Sequence, residues 1–292
     1  MKSLIYCDTS LDKVGKINLE NNVSEYFPLE MGVKPFGPYN LKVYNNLAVI
    51  ANSYNNSISI IDMNNNIENS NIKVGSRPVD VGVFKDKAYV VCSDSNSLNI
   101  VDIKYREEIL TLPLGEYPQS IYIDEDEGIA YTANMLGNSI CIVDCNEDKM
   151  LSIINNLNNP TKIKLSHDKK NIYVCEGCLF SDTHGYITLI STIDNTIIER
   201  IKIGKIPIDL IEEEGFLYVT NLGDGSISVV CIGEGKEILK LKIGGMPRGI
   251  EKLDNKLYIC DYEYSGVYEI DFKNNSVRKI ASGKEPNAIK II

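Results

Sequence analysis

Residues 204–243 read GKIPIDLIEEEGFLYVTNLGDGSISVVCIGEGKEILKLKI, and this stretch decides the fold. It opens on Gly204-Lys205-Ile206-Pro207 and then holds four short β-prone runs separated by turn residues: Ile208–Ile211, Leu217–Asn221, Ser226–Cys231 and Ile238–Ile243. The second run is apolar at nearly every position, as in a strand covered on both faces. In the fourth, Lys240 and Lys242 alternate with apolar residues, as in an edge that must resist pairing with other chains. Nothing in the stretch shows the 3.6-residue apolar stripe of a surface helix.

Working outward, the same unit recurs. Pro38, Pro78, Pro118, Pro160, Pro207, Pro247 and Pro286 follow one another at spacings of 40, 40, 42, 47, 40 and 39 residues. Five of them close a Gly-x-x-Pro, beginning at Gly75, Gly115, Gly204, Gly244 and Gly283; Leu157 and Pro35 hold the glycine position in the other two. Each proline is followed by a short run, a polar turn, a strongly apolar run (Leu47–Asn52, Ala88–Cys92, Ala130–Asn134, Ile172–Glu176, Leu257–Asp261) and a third run (Ser57–Asp62, Ser97–Asp102, Ser139–Asp144, Tyr186–Ser191, Gly266–Asp271). Four strands per unit of about 40 residues predict an all-β fold, a β-propeller with four antiparallel strands per blade.

The ends predict seven blades. After Pro286 only one strand remains, Asn287–Ile292, while Leu4–Asp8, Lys13–Asn18 and Val23–Leu29 precede the first proline. Leu4-Ile5-Tyr6-Cys7-Asp8 aligns with Leu257-Tyr258-Ile259-Cys260-Asp261. Blade 7 is therefore expected from residues 1–30 plus 283–292, closing the ring, with blades 1–6 from about 31–282 and residues 1–292 forming a single domain. On this reading Met1 is also expected to lie near the natural start of the chain.

Composition narrows the function classes. Thirty Lys and Arg against forty Asp and Glu leave the 292-residue chain at a net charge of −10. Such a surface repels nucleic-acid phosphates and anionic lipid, and there is no basic aromatic stripe, so neither nucleic acid nor a membrane is the expected partner. No apolar run reaches the roughly 18 residues of a membrane helix, and the first residues do not read as a secretory signal. Several of the eight Cys, such as Cys175 and Cys260, sit inside apolar runs and read as reduced core residues, predicting a cytoplasmic protein, with surface association left open. With no Trp and only two His, the commonest catalytic base and metal ligand are nearly absent. No phosphate-binding loop or nucleophile-elbow motif is present.

Tyr218-Val219-Thr220-Asn221 resembles the signature of the YVTN family of seven-bladed propellers. Degenerate copies are Tyr131-Thr132-Ala133-Asn134, Val49-Ile50-Ala51-Asn52, Tyr89-Val90-Val91-Cys92 and Tyr173-Val174-Cys175-Glu176. Leu165-Ser166-His167-Asp168-Lys169-Lys170 is similar to the family's Ser-Pro-Asp-Gly hairpin, with His167 in place of the proline. The resemblance spans the whole chain. It implies the seven-bladed fold but no single function, because that fold hosts binding proteins, surface proteins and some enzymes. Many family members are exported.

In a propeller the loop entering the first strand and the loop joining the second and third strands share one face. On that face the second strands end at Asp8, Asn52, Cys92, Asn134, Glu176, Asn221 and Asp261. As a set, Asp8, Asn52, Asn134, Glu176, Asn221 and Asp261 are the candidate ligand residues over the central channel. The alternative is that Asn and Asp cap turns by bonding nearby backbone amides. Phe36, in the irregular Val33-Lys34-Pro35-Phe36-Gly37-Pro38 of blade 1, reads as exposed and joins the candidates.

The main departure from the repeat is blade 4, where the gap between the second and third strands is the nine residues Gly177–Gly185. It brings Cys178, Asp182 and His184 near Cys175 and Glu176, a possible zinc or iron set of Cys175, Cys178, Asp182 and His184. A recognition loop is the preferred reading, and no cofactor is expected. His167, in the turn between the first and second strands, is expected on the opposite face from His184. Cys141 and Cys145 read as structural, as do Ser57, Ser97, Ser139 and Ser226 at one repeat position.

The functional expectation is a monomeric, non-enzymatic scaffold presenting its loop face to a protein, peptide or glycan. The alternative is a lactonase-like hydrolase or lyase acting at the channel mouth, with Glu176, Asp261 and Asp8 as acid and base.

Overall fold

The computed structural model describes residues 2–29, 34–65, 67–178, 182–274 and 276–292. They form seven four-stranded antiparallel sheets, with short 3-10 turns at Thr9–Leu11 and Ile232–Glu234, and the fold is a seven-bladed β-propeller. Blade 1 runs Pro38–Tyr44, Leu47–Asn52, Ser57–Asp62 and Ile67–Lys73; blade 2 runs Pro78–Phe84, Lys87–Cys92, Ser97–Asp102 and Glu107–Pro113. Blade 3 runs Pro118–Asp124, Ile129–Asn134, Ser139–Asp144 and Lys149–Ile154; blade 4 runs Pro160–Leu165, Asn171–Glu176, Tyr186–Ser191 and Ile197–Lys202. Blade 5 runs Pro207–Glu213, Phe216–Asn221, Ser226–Cys231 and Lys236–Lys242; blade 6 runs Pro247–Leu253, Lys256–Asp261, Gly266–Asp271 and Ser276–Ser282.

Blade 7 is shared between the two ends of the chain. Pro286–Ile291 pairs antiparallel with Ser3–Asp8, which pairs with Lys13–Asn18 and then Ser24–Pro28. Each blade thus starts at its repeat proline. Proline tolerates that place because a first-strand residue need not donate to the ladder.

The chain divides into two compact units, residues 1–111 with 248–292, and residues 112–247. Within the first unit, the facing sheets of blades 7 and 1 bury Ile5, Cys7, Phe27, Leu41, Ile50 and Ala288 together. Blades 1 and 2 do the same with Val49, Ile58, Val81 and Val90, and blades 6 and 7 with Tyr6, Ile17, Cys260 and Val267. In the second unit, Ile140, Ile163 and Val174 pack between blades 3 and 4, and Cys175, Ile187 and Leu217 between blades 4 and 5.

Second strands are almost wholly buried, as their continuous apolar runs predict. Fourth strands are mostly exposed, and in blades 1, 3, 4, 5 and 6 their register shifts by a residue against the third strand. A bulge of this kind twists an edge away from intermolecular pairing and supplements the lysines found there.

Candidate functional site

The loop face rests on a backbone device repeated from blade to blade. The residue before the repeat proline is left-handed in six blades: Gly37 (φ 61°), Arg77 (54°), Tyr117 (52°), Asn159 (49°), Ile206 (52°) and Glu285 (63°). Its carbonyl accepts a hydrogen bond from the first residue after the second strand, as from Ser53, Ser93 and Leu222 (each 2.9 Å), Met135 (3.0 Å), and Gly177 and Thr9 (each 3.3 Å). A left-handed L-residue costs roughly 1–2 kcal/mol, and this bond between the two loops helps to offset it.

The polar ends of the second strands close the same loops from within. Asp8, Asn52, Asn134, Glu176, Asn221 and Asp261 are all at most 3% exposed. The Asn52 amide donates to the hydroxyls of Ser57 (3.1 Å) and Ser59 (2.7 Å), and Asn221 repeats this on Ser226 (3.1 Å) and Ser228 (2.8 Å). Asn134 donates to Ser139 (3.1 Å) and to the Cys141 sulfur (3.2 Å). Ser57, Ser139 and Ser226 are therefore hydrogen-bond acceptors in a clasp, in keeping with their structural reading, whereas Ser97 donates to the Asn99 side-chain oxygen (2.8 Å).

Two of the acidic members reach the other loop instead. The Lys284 amide donates to both Asp8 carboxylate oxygens (2.9 and 3.1 Å), and the Asn158 amide donates to Glu176 (2.9 Å). Asp261 accepts from the Tyr264 amide (2.7 Å), the turn-capping geometry. Burial raises the Asp8 carboxyl to about 6 against the pull of the Lys284 and Leu11 amides. Burial also raises Glu176, opposed by the Thr188 hydroxyl and the Arg200 guanidinium.

Glycine opens the Gly-x-x-Pro loop for a steric reason. A Cβ on Gly204 would lie 2.4 Å from the Asn221 amide carbon, and one on Gly283 would lie 2.5 Å from an Asp8 oxygen. Asp8 and Glu176 thus tie together the two loops of their blades, and Asn52, Asn134, Asn221 and Asp261 brace the turn into the third strand.

Phe36 differs from its sequence expectation. It is buried beside Leu29 and Leu41 in the blade 7–blade 1 core, because the backbone from 36 to 38 is drawn in by Tyr54 and Asp12. The Tyr54 amide donates to the Phe36 carbonyl (2.9 Å), and the Gly37 amide donates to Asp12 (2.7 Å).

In blade 4, residues 179–181 of the long loop lie outside the described residues. All four of Cys175, Cys178, Asp182 and His184 are described, and they do not come together. Cys175 points into the apolar interface with Ile187 and Leu217, where burial pushes its thiol well above its usual range. Asp182 pairs with Lys205, and the His184 Nδ1 lies 3.2 Å from the Ile203 carbonyl. Among the described residues no group of three or more His, Cys, Asp and Glu is placed to hold a metal ion. His167 lies in the blade 4 turn between first and second strands, away from the loop carrying His184, and its amide donates to Glu212 (2.9 Å).

A cluster not anticipated from the sequence lies on the loop face of the first unit. Tyr39, Arg248 and Asn287 each follow a repeat proline, in blades 1, 6 and 7. Arg248 donates to the Tyr39 hydroxyl (2.9 Å) and the Asn287 side-chain oxygen (2.7 Å). Its guanidinium stacks 4.8 Å from the Tyr262 ring centre and 5.8 Å from that of Tyr39. Tyr262 hydrogen-bonds to Glu285, and Glu285 accepts from Ser10. Tyr54, 54% exposed, borders the group; burial, then the Glu285 charge, raises its phenol above the ordinary value. The signal in the sequence was the residue after each proline, where blades 1 and 6 place Tyr and Arg.

No family model matches the chain, and no curated protein matches it in sequence. In structure it is similar to hydrazine synthase from Kuenenia stuttgartiensis, with 19% identity and a TM-score of 0.74 over 82% of this chain and 77% of that one. It is also similar to two proteins provisionally named 6-phosphogluconolactonases. One is from Bacteroides fragilis (12% identity, TM-score 0.80, 100% of this chain and 97% of that one). The other is from Bacteroides uniformis (13% identity, TM-score 0.76, 100% of this chain and 99% of that one). At these identities the likeness shows the fold alone. Among the described residues no helix is long and apolar enough to cross a membrane.

Proposed function

We propose that the chain is a non-enzymatic, YVTN-type binding scaffold whose loop face on blades 6, 7 and 1 takes a protein or peptide segment. The observation that carries this reading is Arg248 held between Tyr39 and Tyr262, beside the half-exposed Tyr54 and Glu285. Tyr and Arg dominate the energetics of protein interfaces, and here their rotamers are already fixed by hydrogen bonds, which lowers the entropy cost of binding. The Glu285 carboxylate and the net charge of −10 favour a partner with basic and aromatic side chains. All eight cysteines are free thiols, which suits a reducing, cytoplasmic setting. Catalysis by Asp8, Glu176 and Asp261 gains no support from the geometry, since all three accept hydrogen bonds from loop amides.

Selection from a displayed peptide library tests the reading. Enriched peptides are expected to share basic and aromatic residues and to lose at least about tenfold in affinity for Tyr54→Ala, a rim change that leaves the core intact. Peptides that bind Tyr54→Ala and Arg248→Ala as well as the parent chain would overturn it.

A further inference from the structure

A second surface, in the other unit and independent of the peptide reading, has its own chemistry. Between the fourth strands of blades 4 and 5 lies an open groove of about 410 Å³, within the size range of small-molecule sites. Its wall carries Arg200, Lys202, Lys236, Lys240 and His184, with Glu237 as the carboxylate among its lining residues. In a chain of net charge −10, this concentration of cations on one concave surface stands out.

The blade 4 loop explains why one of those cations is available. In blade 1 the lysine ending the fourth strand, Lys73, donates to the carbonyl of Asn55 (2.8 Å), the third residue of the four-residue loop. In blade 5 its equivalent Lys242 donates to the corresponding Asp224 carbonyl (2.6 Å). Register shows the equivalence: Lys73 faces Ser57, Lys242 faces Ser226, and Lys202 faces Tyr186, each the first residue of its third strand. Blade 4 has nine residues in place of that four-residue loop, and among the described residues the Lys202 side chain has no hydrogen bond or ion pair, while its backbone pairs with Tyr186. Lys202 lines the groove.

The other cations are held in place by groups mostly outside the lining. Arg200 donates to the Asn156 carbonyl (2.7 Å) and lies 3.7 Å from Glu176. Lys236 pairs with Glu234 (2.6 Å), and Lys240 with Glu237 (3.5 Å) and Asp224 (3.9 Å). A ligand must therefore compete with carboxylates, which selects for a compact group of high charge density over a single carboxylate. The His184 Nδ1 faces the Ile203 carbonyl, which only accepts, so Nδ1 carries a proton and Nε2 is the nitrogen left for a ligand hydroxyl.

We infer that this groove binds a multiply charged phosphoryl anion of small-molecule size, a phosphate or pyrophosphate ester, with Lys202 as its principal contact. The test is titration of the full chain with inorganic pyrophosphate, inorganic phosphate and citrate, read by calorimetry and by amide NMR shifts. Pyrophosphate is expected to shift resonances around 184, 200–203 and 235–240, to bind at least about fivefold tighter than phosphate or citrate, and to lose about tenfold in affinity in Lys202→Ala. Lys149→Ala, an exposed lysine on the fourth strand of blade 3, is expected to bind as the parent does. Unchanged affinity in Lys202→Ala, equal loss in Lys149→Ala, equal binding of citrate, or no shift at the groove would each overturn the inference.

Discussion

Blades 4 and 5 are neighbours built on one plan, and they close their loops in different ways. Blade 5 has Gly204 at the start of its entering loop and Asn221 at the end of its second strand; the amide bonds Ser226 and Ser228, and the glycine leaves room for it. Blade 4 has Leu157 and Glu176 at these two positions. Leu157 is buried with Ile154 and Ile163, and the longer Glu176 takes the Asn158 amide. Before the proline the exchange runs the other way: blade 4 places Asn159 in the left-handed position, and blade 5 places the β-branched Ile206 there. The plan thus constrains pairs of residues more than single ones, and a loop five residues longer is accommodated once the clasp changes with it.

The largest effect expected is from Gly204→Leu, which imports half of the blade 4 solution. Its Cβ falls onto the buried Asn221, and overpacking at such a site costs about 3 kcal/mol, to be read in denaturant unfolding. If stability is unchanged, the pairing of glycine and asparagine is not the constraint described above.

Next come the charged clasps. The Asp8 carboxyl sits at about 6 in the folded state, above its usual 3.8, so its contribution to stability is complete below about 3.8 and is lost as pH rises through 6. Asp8→Asn keeps an acceptor for the Lys284 amide, and Asn is the residue used in blades 1, 3 and 5. It is expected to raise stability by about 2 kcal/mol at pH 7.5 and to flatten the slope between pH 4 and 7 in urea titrations at several pH values. Glu176→Gln should act in the same direction. Asn221→Ala is expected to cost about 2 kcal/mol through two lost hydrogen bonds, measured by thermal unfolding. The smallest effect is from Ile206→Asn, which gives blade 5 the blade 4 residue and should stabilise by about 1 kcal/mol by relieving the left-handed strain.

How far the sequence discloses all this follows from what repeats. Strand order, the shared blade 7 and the buried second strands are legible because seven copies of the pattern reinforce one another, and Leu4–Asp8 aligns visibly with Leu257–Asp261. The left-handed residue before six of the seven repeat prolines is hidden, because Ile206 and Tyr117 have no preference for that conformation and are held there by the loop across from them. The polar strand ends were legible as a set but not in their orientation; whether Asn52 faces a ligand or Ser59 depends on packing one strand away. Phe36 misleads because its neighbours are loop residues, whereas its side chain belongs to the core of the adjoining blade. The Arg248 cluster joins residues 39, 54, 248, 262 and 285, and no local pattern links them.

Hydrogen–deuterium exchange with and without a library-selected peptide tests the central claim most directly, because it sets the Arg248 cluster against the long loop of blade 4. The account predicts protection in segments 36–40, 53–56, 246–249, 262–265 and 284–288, with 182–186 unchanged. Protection confined to 177–186, with the Arg248 segments exchanging as before, would contradict it.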